Sequence, residues 1–312
     1  MLSYQVEESI DVNISPSQAI EFLSDFRNWP SWSPWLIQEP SCPLTYTESQ
    51  GNIGSGYSWD GEMIGAGSMS LTEKSESVLV MALSFLKPFK SQAKVTFTAE
   101  PKEEGCVINW TMESKVPWFL FFLKGMFKTW IRMDYHRGLI MLKSQLETGH
   151  VHSKVTVLGE QPWPDTYYIA YSGTAPLEEL GPTMQNHFNR LNAYMEEHQI
   201  QPTGVPFAIY DTMDFKTTVS DFHSCIPVSN HDLPHLPDDM ELGHLKGGAS
   251  FVTRHEGEYP FLGNAWSTAM SASRFHKVKT KKKPLGIERY ENDSRETPAQ
   301  ELLTDIVLLC RT

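Results

Sequence analysis

The first half of the chain, up to about residue 147, begins with alternating acidic and apolar residues that predict a strand over residues 5–14. Ser15 and Pro16 then supply an N-cap and a first-turn proline for a short helix. A long helix is predicted from Pro117 to about Glu147, amphipathic in its later part. Between them, period-two segments bounded by turn residues predict strands over residues 57–63, 67–71, 78–85, 93–99 and 107–113. The pattern predicts an α+β fold in which an antiparallel sheet curls around the long helix, a helix-grip architecture that encloses a cavity.

The second half shows one order of elements twice. Each copy has a strand with a glycine turn, a helix, a proline-led strand and a short apolar strand. The first copy covers residues 168–173, 180–198, 205–211 and 225–228, and the second covers residues 251–257, 260–274, 284–291 and 305–309. Two such copies predict one pseudo-symmetric antiparallel sheet with the helices on one face.

Residues 148–154 lack apolar periodicity, and Gly149 can end the helix that precedes them. We therefore place a domain boundary in this segment. The expected domains cover residues 1–148 and 155–312.

The predicted strand over residues 284–291 places a carboxylate beside a phenol and a glycine. Alternation puts Gly286, Glu288 and Tyr290 on one side of this strand. In a pocket, desolvation would raise the pKa of Glu288, and a cationic ligand would reverse that effect. The alternative is a solvated strand face, where most glutamates lie. Aligning Tyr210 with Tyr290 sets Ala208 against Glu288, so the fold does not itself require the charge, and this favours a pocket where the two copies meet.

Composition narrows the classes of function. A chain of 312 residues is long enough for two domains, and its charged content of 21% is typical of a soluble protein. The net charge of −12 argues against non-specific binding to nucleic acid or anionic membrane. Four scattered cysteines, an N-terminus without signal-peptide features and an apolar run that stops at Lys124 predict a cytoplasmic protein without a membrane span. No phosphate-binding glycine loop is present. The spacing of His231 and His235 resembles that of metal ligands, but Pro234 and Pro237 indicate a loop and no third ligand has a matching position, so we expect neither cofactor nor metal.

Several motifs of the first half occur in a characteristic order: Asp25-Phe26 with Trp29, Trp32-Ser33-Pro34-Trp35, Tyr57-Ser58-Trp59-Asp60-Gly61, Leu86-Lys87-Pro88-Phe89 and Asp134-Tyr135-His136-Arg137-Gly138-Leu139. This set resembles polyketide-cyclase-like members of the START-like (SRPBCC) superfamily over essentially the whole first half. The resemblance implies a hydrophobic ligand cavity, in a superfamily that ranges from carriers to cyclases. Trp35, Trp59 and Trp110 are candidates to line it, although each could instead fill the core.

The second half carries another ordered set: His255-Glu256-Gly257-Glu258-Tyr259, Leu262-Gly263-Asn264-Ala265-Trp266, Ile287-Glu288-Arg289-Tyr290 and Thr297-Pro298-Ala299-Gln300-Glu301. It resembles the GyrI-like family, effector-binding domains that also occur in bacterial AraC- and MerR-type regulators. That resemblance implies a pocket with a central glutamate and aromatic neighbours. Regulatory members bind cationic or aromatic effectors, and some stand-alone members hydrolyse small electrophilic compounds with a glutamate and a tyrosine.

Glu288 matches the family's glutamate, and the motif aromatics are Tyr259, Trp266 and Tyr290. With Tyr210 these residues form the predicted binding site for a small hydrophobic or aromatic ligand, with a cationic ligand as one option. The alternative is a hydrolase with Glu288 as general base and Tyr259 or Tyr290 as the donor of a proton or hydrogen bond. No helix-turn-helix segment is recognisable in either half, so we expect no direct nucleic-acid binding. A separate regulatory protein could be the partner.

Overall fold

A seven-stranded antiparallel sheet forms the first of two units, Met1–His152 and Ser153–Thr312, in the computed structural model. The structure describes residues 2–116, 124–214, 217–229 and 233–311. In chain order the strands of the first unit are β1 Leu2–Val12, β2 Leu44–Tyr46, β3 Gly56–Asp60, β4 Ala66–Lys74, β5 Val78–Lys87, β6 Ser91–Pro101 and β7 Cys106–Val116. In the sheet they run β1-β7-β6-β5-β4-β3-β2, so the first strand closes against the last.

Two α-helices accompany this sheet, α1 Pro16–Ser24 and α2 Lys124–Thr148. The N-terminus of α1 is a capping box: the backbone N–H of Gln18 donates to the Ser15 hydroxyl, and the backbone N–H of Ser15 donates to the Gln18 side chain. The predicted start of the long helix at Pro117 lies outside the described residues. None of the described helices has the length and apolar character to cross a bilayer.

The helix α2 approaches the sheet closely at Gly138. A Cβ atom at this position would lie 2.8 Å from the ring of Trp110 and 3.0 Å from Cδ of Pro34. Three residues earlier on the helix, Tyr135 stacks on Trp110 with ring centroids 3.8 Å apart. Gly138 therefore allows α2 to pack directly against Trp110, one of the largest fully buried side chains.

The second unit is an eight-stranded antiparallel sheet with two α-helices, α3 Leu177–Glu197 and α4 Leu262–Phe275. Its strands are β8 Ser153–Trp163, β9 Thr166–Pro176, β10 Phe207–Asp214, β11 Val219–Pro227, β12 Glu241–Leu245, β13 Gly248–Gly257, β14 Gly286–Tyr290 and β15 Leu303–Leu309. Their order in the sheet is β12-β9-β11-β10-β14-β15-β13-β8. Large antiparallel sheets with a few helices in both units agree with the predicted α+β class.

The strand order of the second unit has the same pattern when read from either end. The series β9-α3-β10-β11 lies in one half, β13-α4-β14-β15 lies in the other, and β10 pairs with β14 at the centre. In this central pair Ala208 lies opposite Glu288, and Tyr210 lies opposite Gly286. Glu288 is therefore at the junction of the two halves.

Both edge strands of this sheet, β8 and β12, are absent from the sequence-based prediction. β8 pairs with β13 and begins at Ser153, inside the segment expected to be a linker. Most of its side chains are exposed, and Gly159 interrupts it with a positive φ of 79°. Edge strands with so little apolar periodicity carry no signal that separates them from loops.

We expect Gly138→Ala to lower the stability of the first unit. The added methyl group must displace the buried ring of Trp110, and overpacking of this kind costs about 1–3 kcal/mol, which outweighs the gain in helix propensity. Thermal unfolding followed by near-ultraviolet circular dichroism measures the effect. Gly125→Ala in the same helix is the matched control, because no described atom lies within 4 Å of its Cβ position. Equal melting temperatures for the two variants would contradict the close approach.

Candidate functional site

Glu288 is buried, with 6% of its surface exposed, on the face of the second sheet that α3 and α4 cover. Its carboxylate accepts three hydrogen bonds from neutral donors. The Trp266 indole donates to Oε1 at 2.6 Å, and the hydroxyls of Tyr210 and Tyr290 donate to Oε2 at 3.0 Å and 2.9 Å. This position excludes the solvated strand face considered as the alternative above.

The three donors come from three elements of the fold. Tyr210 projects from β10, Tyr290 from β14 itself and Trp266 from α4. The indole can cross β14 because residue 286 is glycine: a Cβ atom there would lie 2.7 Å from the Trp266 ring. The rings of Trp266 and Tyr210 then meet edge to face at 5.3 Å between centroids. The strand's alternation, its glycine and the register with β10 thus converge on one carboxylate.

Burial dominates the electrostatics of this site. Desolvation raises the pKa of Glu288, and the hydrogen bonds from Trp266, Tyr290 and Tyr210 oppose that rise without cancelling it. Burial and the nearby Glu288 charge also hold the pKa values of Tyr210 and Tyr290 well above their ordinary range. Both phenols therefore remain protonated donors. No cationic side chain among the described residues forms an ion pair with Glu288.

Further aromatic and sulfur-containing side chains enclose the donors. Phe188 of α3 meets the ring of Tyr290 edge to face at 5.9 Å, and Met184 Sδ lies 3.7 Å from the Tyr210 hydroxyl. Tyr259 packs its ring against Tyr290 at 6.1 Å and is 38% exposed, so it forms the outer edge of the cluster. The phenols that reach Glu288 are those of Tyr210 and Tyr290. Phe188 and Met184 were not predicted as site residues, although their spacing of four places both on one face of α3.

A second buried carboxylate, supplied by β15, holds the opposite face of β14 in place. Asp305 of β15 is fully buried and accepts hydrogen bonds from Arg254 at 2.7 Å and 2.9 Å and from Arg289 at 2.9 Å. Burial raises the pKa of Asp305, but the hydrogen bonds from its neighbours outweigh this effect and the pKa is lowered. These ion pairs tie β13, β14 and β15 together directly behind Glu288.

The candidate tryptophans of the first unit lie in an aromatic cluster. Trp110 is almost fully buried and is surrounded by the rings of Trp32, Trp35, Phe97 and Tyr135. The Trp35 indole donates to Asp134 at 3.1 Å. Trp59 packs edge to face against Phe85, with ring centroids 6.1 Å apart. In this arrangement Trp110 is a core residue, whereas Trp35 and Trp59 are partly exposed at the margin of the cluster.

Comparison with known families accounts for both halves of the chain. Residues 3–147 match the family of polyketide cyclases and dehydrases and lipid-transport proteins, and residues 161–310 match the GyrI-like small molecule binding domain. The chain joins a polyketide-cyclase-like domain to a GyrI-like domain. Both resemblances drawn from the sequence motifs are confirmed. The family match of the GyrI-like domain indicates that its role is to bind a small molecule.

Solved structures similar to this chain have low sequence identity to it. A protein from Mesorhizobium loti is 14% identical, with 46% of this chain and 96% of that chain covered and a TM-score of 0.36. The di-domain ARO/CYC StfQ from the steffimycin biosynthetic pathway is 13% identical, with 46% and 50% covered and a TM-score of 0.38. EcmrR, in a complex with DNA, is 13% identical, with 62% and 71% covered and a TM-score of 0.43. A search among curated proteins found no match.

We expect Glu288→Gln to change how the stability of the GyrI-like domain depends on pH. Because the folded-state pKa of Glu288 is raised, the native protein keeps its proton at pH values where the unfolded chain loses it. The resulting stabilisation is fully present below the ordinary value of 4.5 and is lost as the pH rises through the folded-state pKa. Chemical denaturation of the wild type and the variant between about pH 4 and about pH 8 should therefore show the variant gaining relative stability as the pH rises.

Glu301→Gln is the matched control for this experiment, because Glu301 is exposed in the same domain. A difference in unfolding free energy between wild type and Glu288→Gln that does not vary with pH would contradict the raised pKa.

Proposed function

We propose that the GyrI-like domain binds a small hydrophobic or aromatic cation and that Glu288 is the counter-charge. The observation that carries this proposal is a buried carboxylate with three neutral donors and no cationic partner among the described side chains. Burying an ionised carboxylate without a counter-charge is costly, and the raised pKa of Glu288 reflects that cost. A ligand that brings a positive charge next to Glu288 would favour its ionised form.

The surrounding rings support the same class of ligand. The faces of Tyr and Trp rings attract cations, and the attraction is strongest where water is excluded. Trp266, Tyr210 and Tyr290 already surround the carboxylate, and Tyr259 offers a partly exposed ring at the outer edge. We propose that a ligand enters at this edge by displacing Tyr259. The protein's own rings would then pack against the ligand's apolar or aromatic part.

Calorimetric titration with benzyltrimethylammonium tests the role of Glu288. We expect Glu288→Gln to weaken binding by at least about 30-fold, because removing one partner of a buried charge pair typically costs 2–5 kcal/mol. For the wild type, affinity should increase as the pH rises through the pKa of Glu288, because the ionised form binds the cation. Glu301→Gln serves again as the control. If Glu288→Gln binds the cation as tightly as the wild type does, Glu288 is not the counter-charge.

The geometry also supports a second candidate, hydrolysis of a small electrophilic compound. Glu288 would accept a proton from the attacking water, and a tyrosine would donate a proton or hydrogen bond to the leaving oxygen. The hydroxyl of Tyr290 already donates its single proton to Oε2 at 2.9 Å, so we propose Tyr259, at the partly exposed edge of the cluster, as the donor to the leaving oxygen.

A panel of aromatic epoxides and activated esters distinguishes catalysis from binding. Catalysis predicts that Glu288→Gln lowers the rate by about 10²–10⁴-fold. It also predicts that Tyr259→Phe lowers the rate, because this substitution removes the donor to the leaving oxygen. Turnover that survives Glu288→Gln would place the chemistry elsewhere, and binding without turnover would leave the first proposal in place.

For the first domain we propose a helix-grip arrangement that carries an apolar ligand. The indole N–H groups of Trp32 and Trp110 are buried and have no acceptor among the described residues, so an oxygen atom of a ligand between these rings would satisfy them. The centroids of these two rings are 5.4 Å apart, and a ligand would have to move the rings apart. Native mass spectrometry of the freshly purified protein would identify such a ligand directly.

We also propose that the GyrI-like domain arose by internal duplication, because its strand order is the same from either end.

We further propose that any regulatory output passes through a separate protein partner rather than through direct contact with DNA. The strongly acidic net charge of −12 supports that reading.

A further inference from the structure

A dense group of positive charges follows α4 in the GyrI-like domain. Residues 259–287 contain no Asp or Glu, but six exposed Lys and Arg residues lie in this interval, and an exposed arginine beyond β15 lies beside them. We call the seven residues the basic patch: Arg274, Lys277, Lys279, Lys281, Lys282, Lys283 and Arg311. None of them forms an ion pair with another described residue. Such unpaired like charges repel one another, so an anionic partner would stabilise them.

Hydrogen bonds to the end of the sheet fix the backbone of this segment. Thr280 pairs with Cys310 in an antiparallel bridge, and the backbone N–H of Lys281 donates to the Leu309 carbonyl at 2.7 Å. The guanidinium of Arg311 donates to the Thr280 carbonyl at 2.9 Å. These contacts hold the segment against β15 and bring Arg311 next to the lysines.

An exposed aromatic ring lies among the charges. Phe275 is the last residue of α4, directly after Arg274, and 44% of its surface is exposed. Its ring meets that of His276 edge to face, with centroids 5.1 Å apart. Aromatic and arginine side chains are enriched in protein interfaces. The patch therefore suits a partner that brings both negative charge and an apolar side chain.

Two acidic residues lie at the margins of the patch without pairing with it. Asp221 accepts hydrogen bonds from two threonine hydroxyls at 2.7 Å, and these lower its pKa more than the nearby charge of Lys283 does. Burial raises the pKa of Cys310, while the charges of Glu160 and Lys281 act on that thiol in opposite directions. These carboxylates limit the patch at two sides and leave its cations available to a partner.

The charge of the rest of the chain distinguishes among anionic partners. The net charge is −12 even with the seven cations included, so the surface beyond the patch is strongly acidic. DNA or an anionic membrane would extend past the patch by more than the Debye length of about 8–10 Å and meet that acidic surface. The patch spans at most about 20 Å of chain between Lys277 and Lys283. A short acidic segment of a protein can end within this distance and avoid the repulsion.

We propose that the basic patch binds an acidic segment of a partner protein and that Phe275 contacts an apolar side chain of this segment. The inference rests on the protein partner proposed above and adds the surface that this partner contacts. It does not depend on the ligand of Glu288. The helix α4 nevertheless connects the two places, because it carries Trp266, a donor to Glu288, and ends at the patch.

Fluorescence anisotropy of the full chain with a labelled glutamate-rich peptide that has a central phenylalanine tests this surface. We expect saturable binding at an ionic strength of about 0.15 M that weakens as salt is added, because salt screens exposed charges. Combining Lys281→Gln, Lys282→Gln and Lys283→Gln should weaken binding by about tenfold. These positions are exposed, so the substitutions leave the fold intact.

The matched control combines Lys90→Gln, Lys115→Gln and Lys246→Gln. These lysines are also exposed and lie outside the patch, so the control changes the net charge equally. It should bind the peptide as the wild type does. A control variant that loses as much affinity as the patch variant would show that only net charge matters, and it would overturn the assignment.

Phe275→Ser tests the apolar contact. It should weaken binding of this peptide and leave unchanged the binding of a peptide with glycine in place of the phenylalanine. Leu177→Ser is the control, because Leu177 is 45% exposed in the same domain, and it should bind both peptides as the wild type does. Equal losses for the two peptides in Phe275→Ser would overturn the role of this ring.

The remaining outcomes separate this inference from the proposal for Glu288. Peptide affinity that is equal in the wild type and the patch variant, or absence of binding, overturns the patch as a partner site. Double-stranded DNA and phosphatidylglycerol vesicles are titrated in parallel. If either binds through these lysines more tightly than the peptide does, the acidic protein segment is the wrong partner. Benzyltrimethylammonium binding by the same variants is measured separately, so a failure at the patch and a failure at Glu288 are distinguished.

Discussion

The arrangement of the GyrI-like domain depends on the hydrogen bonds that the buried carboxylate of Glu288 accepts. An ionised or even a neutral carboxyl group in this interior must be hydrogen-bonded, and its three donors lie on β10, on β14 and on α4. Gly286 lets the indole of Trp266 cross the strand, and the register with β10 brings Tyr210 within reach. On the opposite face, the ion pairs of Asp305 hold β14 in place. A shift of one residue in β14 would turn Glu288 away from its donors.

The position of this charge explains why a sheet with a symmetric strand order has an asymmetric site. At the central pair of strands the side chains of Ala208 and Glu288 face each other, so one half supplies a small apolar residue and the other supplies the charge. Both halves supply phenols, Tyr210 from β10 and Tyr290 from β14. Two carboxylates at this junction would repel each other in a low-dielectric interior, and one of them would have to remain protonated. A single charge avoids that cost.

Periodicity predicted the parts of this site that depend on a single strand, and it missed the parts that depend on packing between elements. Alternation was sufficient to put Gly286, Glu288 and Tyr290 on one face, because successive side chains of a strand point to opposite faces of the sheet. It could not indicate that Phe188 and Met184 of α3 would contact the phenols, since that follows from where the helix lies on the sheet. The edge strands β8 and β12 escaped prediction because exposed edges need few apolar residues. For the same reason of packing, sequence could not decide whether Trp110 fills the core or lines a cavity.

The hydrogen bonds of Glu288 also limit how a ligand can reach it. A carboxylate has about four lone-pair positions, two on each oxygen. Tyr210 and Tyr290 occupy both positions on Oε2, and Trp266 occupies one on Oε1. One position on Oε1 therefore has no donor among the described residues, and the proposed cation would lie there without displacing any of the three donors. The protein's three hydrogen bonds would persist in the complex and hold the carboxylate in a fixed orientation. Selectivity for a cation would then arise from the charge that the ligand adds to an already ordered site.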